Sequence, residues 1–366
     1  MYIHELKTWP GFTWDDKALS EKLGQVRHNM GLIFGQMNAA GFKQKEETLL
    51  KTLTLDVTKS SAIEGEMLDT EQVRSSIARR LGIEVAGMIT SSRQVDGVVE
   101  MMLDATQYFN LPLTTDRLYG WHSSLFPSGK SSLNKITVGN WRNDETGPMQ
   151  VVSGPLGKES VHYQAPGAKR VPVEMDLFLK WFNEGQHLDP VIKAGIAHLW
   201  FVTIHPFDDG NGRITRAITD MQLAKADKST QRFYSMSAQI EKERNAYYDI
   251  LESTQKGNLD ITAWLLWFFD CLGRSMDNTV DVLETVSIRN RFWDKHRDTA
   301  LNARQKKVTD MLLDDFFGCL NVSKWAKITK SSTDTALRDI RDLMSKDILA
   351  QNEGGGRNTS YSIILN

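Results

Sequence analysis

The sequence has little cysteine: two residues, Cys271 and Cys319, in 366. They have neither pairing nor metal-ligand spacing, which speaks against a disulfide framework and a zinc site and fits a reducing cytosol. Net charge is nearly absent. Forty-four Lys and Arg face 46 Asp and Glu, giving −2 at pH 7, so no global field draws the chain to nucleic acid or to an anionic membrane. Long apolar runs are missing too. The most apolar stretch, 261–272, is too short and too amphipathic to span a bilayer. The start, MYIHELKTWPGF, lacks a charged segment followed by an apolar one, so no signal peptide is expected and a cytoplasmic location is. No repeat or low-complexity tract occurs. What is present is an ordinary globular composition, 40% apolar and 25% charged, at a length suited to two or three domains.

Helical periodicity dominates. Leu19, Leu23, Val26, Met30, Ile33 and Met37 recur at helical spacing and predict a helix over 15–38. Further helices are expected over 45–60, 95–108, 115–125, 172–183 and 189–204, and one after Asp69, where Gln72 stands three residues past a capping Asp. Between 128 and 166 the trend breaks. Gly, Pro, Ser and Asn accumulate around the β-prone Met149-Gln150-Val151-Val152, and Ser153-Gly154-Pro155-Leu156-Gly157 follows as a turn signal. This predicts a small hairpin beside a helical core. Residues 276–303 read as a helical connector. Helical patterns over 304–317, 322–329 and 333–346 then precede Gly354-Gly355-Gly356 and a β-prone end at 359–365. Three helices and a hairpin resemble a winged helix-turn-helix. The expected class is mainly α, divided into a helical extension (1–58), a core (59–275), the connector (276–303) and the winged-helix-like end (304–366).

Chemistry concentrates in His205 to Arg216, HPFDDGNGRITR. Pro206 discourages the preceding helix from continuing and leaves His205 at its end. Gly210-Asn211-Gly212 forms a permissive turn from which a new helix starts. Such a turn converges backbone N–H groups on an anion, and the helix N-terminus adds partial positive charge. Arg213 and Arg216, three apart, share a helix face and suit phosphate oxygens. Asp209 beside them would repel phosphate unless Mg²⁺ lay between. An imidazole with an ordinary pKa near ~6.5 can take a hydroxyl proton at neutral pH.

The string resembles the Fic family motif HxFx(D/E)GNGRxxR at every specified position. The resemblance covers roughly 60–269. It implies transfer of AMP from ATP to Ser, Thr or Tyr hydroxyls of a protein. His205 would be the general base and Phe207 a core anchor. Asp209 would hold Mg²⁺. The backbone of Gly210, Asn211 and Gly212 would line the anion hole around the α- and β-phosphates, with the Asn211 side chain alongside; Arg213 would meet the β-phosphate and Arg216 the γ-phosphate. Ser60-Ser61-Ala62-Ile63-Glu64-Gly65 fits the family's inhibitory pattern (S/T)xxxE(G/N), so Glu64 would pair with Arg216 and misplace ATP, with Ser60 and Gly65 the other fixed positions. The family's flap, which aligns the target by strand addition, would lie at Gln150-Val151-Val152-Ser153-Gly154, with Gly139-Asn140-Trp141-Arg142 leading into it. Tyr247 and Gln255 would lie on the adenine side. Self-modification and a homodimer are further implications of the resemblance.

Other readings stand beside these. The same site, in some relatives, removes AMP, and another nucleotide donor would leave the motif unchanged. His198 is read as a buried hydrogen-bonding residue, Asp208 as a solvated or capping carboxylate, Glu66 as an ordinary surface residue, and Trp264, Trp267, Phe268 and Phe269 as core. A DNA-binding regulator is the alternative from another class. In the helix over 333–346, however, Arg338 and Arg341 face Asp334, Asp339 and Asp342, with Asp347 following. That near balance weakens phosphate attraction, although Lys324, Lys327 and Lys330 lie close by. Structural or protein-interaction use of this end is preferred.

Overall fold

Local chemistry sets most helix boundaries. In the computed structural model, which describes residues 1–366 apart from 40–41, 86, 132–133, 146, 155–157, 159, 185–186, 314–315, 317–318, 353–358 and 366, the chain divides into two units, Met1–Thr279 and Val280–Asn366. The first begins with α1 (Asp16–Ala39), α2 (Phe42–Ile63), α3 (Thr70–Leu81), α4 (Arg93–Gln107) and α5 (Thr115–Leu125). Asp69, Ser92 and Thr114 cap α3, α4 and α5 by accepting from backbone N–H groups of the first turn. Two antiparallel pairs follow, β1 (Lys130–Ser131) with β2 (Asn134–Lys135) and β3 (Gln150–Ser153) with β4 (Ser160–Gln164). The unit closes with α6 (Val171–Glu184), α7 (Pro190–Ile204), α8 (Asn211–Asp227), α9 (Met236–Lys242), α10 (Arg244–Gln255) and α11 (Thr262–Lys295). The division between units falls within α11. The molecule is mainly α, as the periodicity predicts.

The sequence reading of 276–303 as a separate connector differs from the observed element. The apolar stretch 261–272 and most of that connector form one helix, α11. Composition changes along the helix without a break in the backbone.

Helix α7 is the centre of the first unit. Every residue from Val191 to Ile204 is buried, because the helix carries almost no polar side chains and needs partners on all sides. Its main partner is α8, buried from Arg213 to Ala224. The expected aromatic core is there: Trp264, Phe268 and Phe269 are buried, and the Trp264 indole donates to the Gly195 carbonyl at 2.8 Å.

The first fifteen residues are held to this core. Thr13 exchanges backbone hydrogen bonds with Leu259 and Ile261, both 2.8 Å. Trp9 donates to Glu174 (2.8 Å), and Arg170 donates to the His4 carbonyl (3.0 Å). The His4 ring meets the Gln164 carbonyl at the base of β4 (2.9 Å). The helical extension therefore belongs to the same unit as the motif.

The second unit contains α12 (Ala303–Leu313), α13 (Val322–Thr329), α14 (Thr333–Ser345) and an antiparallel pair, β5 (Leu349–Gln351) with β6 (Tyr361–Ile363). Its core gathers Phe292, Val308, Leu320, Trp325, Ala336, Ile340, Leu343, Ile348 and Tyr361. Three helices and a hairpin match the pattern expected for this end. The turns expected at 155–157 and 354–356, and Phe317, lie outside the described residues. No described helix is long and apolar enough to cross a membrane.

Candidate active site

The motif occupies the loop between α7 and α8. His205 ends α7 with φ 52° and ψ 59°. A left-handed conformation is uncommon for a β-carbon residue and marks a position held by its surroundings. Arg142 holds it. The Arg142 guanidinium donates to the His205 carbonyl (2.7 Å), to the Pro166 carbonyl and to Asp144 (3.1 Å), and its backbone N–H donates to the Pro206 carbonyl (2.9 Å). This buried arginine ties the loop to the chain on both sides of the β3–β4 hairpin. Reading Arg142 as a mere lead-in to the flap missed that role, and nothing but an arginine in a Gly- and Asn-rich stretch could have signalled it.

The His205 ring nitrogen Nδ1 lies 3.2 Å from the Val202 carbonyl. A carbonyl only accepts, so Nδ1 carries the proton and Nε2 keeps its lone pair. Burial, partly offset by that hydrogen bond, lowers the His205 pKa to about 4. The ring is therefore neutral at pH 7, as a proton acceptor must be.

Phe207 is buried and stacks on His122, with ring centroids 4.2 Å apart. Gly139 N–H donates to His122 Nδ1 (3.1 Å), so Nε2 carries the ring proton and donates to the Asp209 carbonyl (3.2 Å). Burial lowers the His122 pKa to about 4, which keeps this tautomer neutral. Asn211 closes the loop from inside. Its carboxamide accepts from Phe207 N–H (2.9 Å) and donates to the Phe207 carbonyl (2.8 Å). The sequence reading set this side chain beside the phosphates; the structure spends it on shaping the loop. Asp208 accepts from Thr137 N–H at 2.8 Å, a loop-fixing role that fits the capping alternative.

Asp209 is half-buried. Its carboxylate accepts from Gly210 N–H (2.5 Å) and from the Ser131 hydroxyl. Among the described residues no cluster of three His, Cys, Asp or Glu could cage a metal. A single oriented carboxylate fits Mg²⁺, which draws its other ligands from substrate phosphates and water; it does not fit a metal held by protein alone.

Gly210, with φ 80°, is the residue that caps the start of α8. No side chain caps its first turn, so these N–H groups are open to an anion. The anion already nearby is Glu64. A Cβ added at Gly212 would stand 2.0 Å from Glu64 Oε1. Only glycine lets the carboxylate settle there. Arg216 donates to Glu64 at 2.8 Å, to the Ser60 hydroxyl at 2.9 Å and to the Ser60 carbonyl at 2.8 Å. Its Nη1 is buried with no hydrogen-bond partner among the described residues.

Glu66 corrects the sequence reading. It is not an ordinary surface residue: Arg213 donates to it at 2.6 Å. Arg213 and Arg216 are 1% and 2% exposed, so each needs a countercharge. Gly65 makes the double pairing possible. Its φ of 83° reverses the chain at the end of α2, and Glu66 N–H returns to the Ser61 carbonyl at 3.0 Å. Glu64 and Glu66 thereby reach neighbouring arginines.

The residues assigned to the adenine side are packed inside the first unit. Tyr247 is buried, and its hydroxyl meets His198 Nε2 at 2.9 Å. Thr219 gives its own proton to Thr215, so it accepts from His198 Nδ1 (2.9 Å), which leaves Nε2 to accept from Tyr247. His198 is thus the buried hydrogen-bonding residue the sequence suggested, with burial lowering its pKa to about 3. Gln255 is also buried and donates to Thr203 (3.2 Å). The exposed ring is Tyr248, 37% exposed, whose hydroxyl lies 3.5 Å from the Ile63 carbonyl beside Glu64. Helical phase decides between adjacent tyrosines, and the motif spacing does not.

At the hairpin, Val151 pairs with Tyr163, Val152 with Val161 and Ser153 with Ser160, with a bulge after Val151. Val152 is exposed, and β3 pairs with β4 alone among the described strands. Gly154 follows with φ 103°. Ser153 Oγ lies 2.6 Å from His162, whose other nitrogen lies 2.6 Å from Glu252, which anchors the hairpin to α10.

A neutral histidine, a helix start open to anions and two buried arginines thus meet at one loop. Comparison with known proteins shows what the chain is similar to. Residues 112–223 match the Fic/DOC family, and residues 2–83 match a family described as a domain of unknown function (DUF4172). The Fic/DOC match spans the whole of the motif loop and α7, and α8 up to Leu223. The chain is 25% identical over 276 residues to the Protein adenylyltransferase Fic of Drosophila yakuba, covering 72% of this chain and 48% of that protein. The corresponding Aedes aegypti protein is 25% identical over 269 residues, with the same coverage. The chain thus spans about half the length of these relatives. A Fic family protein from Desulfovibrio desulfuricans shares the fold, with a TM-score of 0.55, 18% identity and coverage of 97% of this chain and 98% of that one.

Proposed function

We propose that this protein transfers AMP from ATP to hydroxyl side chains of proteins and is held inactive by Glu64 and Glu66. The observation that carries the reading is the α8 start, where carboxylates occupy the cations and backbone that a triphosphate would need. The relatives named adenylyltransferase support the reaction type.

In the active state phosphates replace both carboxylates at Arg213 and Arg216. The α8 N–H groups and the unpartnered Arg216 Nη1 receive their oxygens. His205 Nε2 takes the proton of the target hydroxyl as its oxygen bonds to the α-phosphorus and the bond to pyrophosphate breaks. Mg²⁺ on Asp209 would neutralise charge on the phosphate oxygens. Arg142 keeps His205 aimed, and the free edge of β3 lines up the target chain by strand addition. Inhibition is competition: ATP binds productively only where it displaces the glutamates, so affinity falls by whatever those pairs stabilise.

The test is incubation with Mg²⁺ and ATP labelled on the α-phosphate, using the natural sequence, Glu64→Gly, and Glu64→Gly with His205→Ala. Label on protein only in Glu64→Gly supports both base and inhibitor. Equal label in the first two forms removes the inhibitory role. No label in any form, with ATP bound, points to AMP removal or another nucleotide donor.

A further inference from the structure

The second unit carries a surface that the AMP-transfer reading does not use. By sequence, the charges of α14 nearly cancel. The fold separates them. Ala336, Ile340 and Leu343 are buried, and Asp339 lies on the same inner face. Asp339 accepts from Arg304 at 2.7 and 3.1 Å and from Asn302 at 2.9 Å. Asp342 accepts from Gln305 (2.7 Å) and Lys346 (2.5 Å). Both acids are therefore spent inside the unit. The outer face holds Asp334, Arg338, Arg341 and Ser345, all exposed and spaced four, three and four apart. Neither Arg338 nor Arg341 joins an ion pair among the described residues.

The approach to α14 adds charge of the same sign. Lys330 ends α13 with φ 49°, and three residues later α14 begins, capped by Ser332. Lys327 and Lys330 are exposed at this turn. Four cations thus stand against Asp334, and Asp347 lies past the far end of the helix. No large apolar side chain is exposed on this face, so it has nothing to insert into a lipid surface. We infer that this unit binds duplex DNA, with the Arg338 and Arg341 face of α14 in the major groove and Lys327 and Lys330 on backbone phosphates. Arginine forks suit guanine edges, and lysines suit phosphates as point charges. The inference is independent of the reaction proposed for the first unit.

The test is anisotropy of a fluorescent random-sequence DNA duplex titrated with the full chain across a salt series. Affinity should fall linearly with salt on logarithmic axes. Arg338→Ala with Arg341→Ala should weaken binding at least about tenfold, and Lys327→Ala with Lys330→Ala should reduce the salt slope by about two. Arg297→Ala, 76% exposed in the same unit and paired with Asp294, should change neither. No salt-dependent binding at about 50 mM salt, or an equal loss with Arg297→Ala, would overturn the inference. Thermal unfolding of each variant separates lost contacts from lost fold.

Discussion

Helices α8 and α14 carry the same local device turned in opposite directions. Each has two arginines three residues apart, Arg213 and Arg216 in one, Arg338 and Arg341 in the other. In α8 the arginines point inward and glutamates from the end of α2 and beyond answer them. In α14 the arginines point outward and an aspartate of the same helix, Asp339, is taken inward by Arg304. Spacing puts two side chains on one face. Which way the face looks depends on what packs against the helix. Ile214, Ala217, Ile218 and Met221 give α8 one apolar face, and partners cover its polar face as well, so it is buried nearly all round; Ala336, Ile340 and Leu343 give α14 one stripe, and its other face stays wet.

The largest expected effect lies in α8. In a Glu64→Gly background, Arg216→Ala should lower the initial rate of AMP transfer by roughly 10²–10³, because a donor to developing charge is lost. Labelled ATP measures it. Next come the locks. Glu64→Gly should raise labelling by about tenfold or more and Glu66→Ala by a few-fold, since one lost charge pair is worth about 1–2 kcal/mol. If Glu66→Ala changes nothing while Glu64→Gly activates, the Arg213 pair holds the fold and does not restrain the reaction. Arg142→Ala should then destabilise the first unit by about 2–4 kcal/mol, because several buried carbonyl contacts are lost together; a shift of the denaturant midpoint reads this.

A pH profile is a subtler probe. Burial holds His205 near pKa about 4. A base must be unprotonated, so a lowered pKa extends activity to lower pH. For Glu64→Gly, kcat/KM should stay level from about pH 6.5 to 5, where a histidine of ordinary pKa would lose about fifteenfold. Glu64 itself raises the His205 pKa, so its removal moves the acid limb further down. The smallest effect belongs to α14: Arg338→Ala and Arg341→Ala should change stability by no more than about 0.5 kcal/mol each and leave AMP transfer unchanged. A larger change in either would mean that the outer face of α14 is not free.

Much of this was legible in residue order. The helical class, the cap at Asp69 and the histidine-to-glycine turn are local events, fixed by dihedral preferences and first-turn hydrogen bonds within a few residues. Contacts across long separations were not. Glu66 reaches Arg213 across 147 positions, and Arg142 reaches His205 across 63. Neither has a spacing that sequence can display. The adjacent Tyr247 and Tyr248 face different ways because one step along a helix turns a side chain by about 100°, and only the packing of α10 against His198 shows which ring turns inward. The sequence by itself determined what each segment could be: a helix, a turn, an anion-binding helix start. The tertiary structure alone decided which charges face each other and which face water, because burial forces a charge to find a partner and nothing along the chain says where that partner will come from.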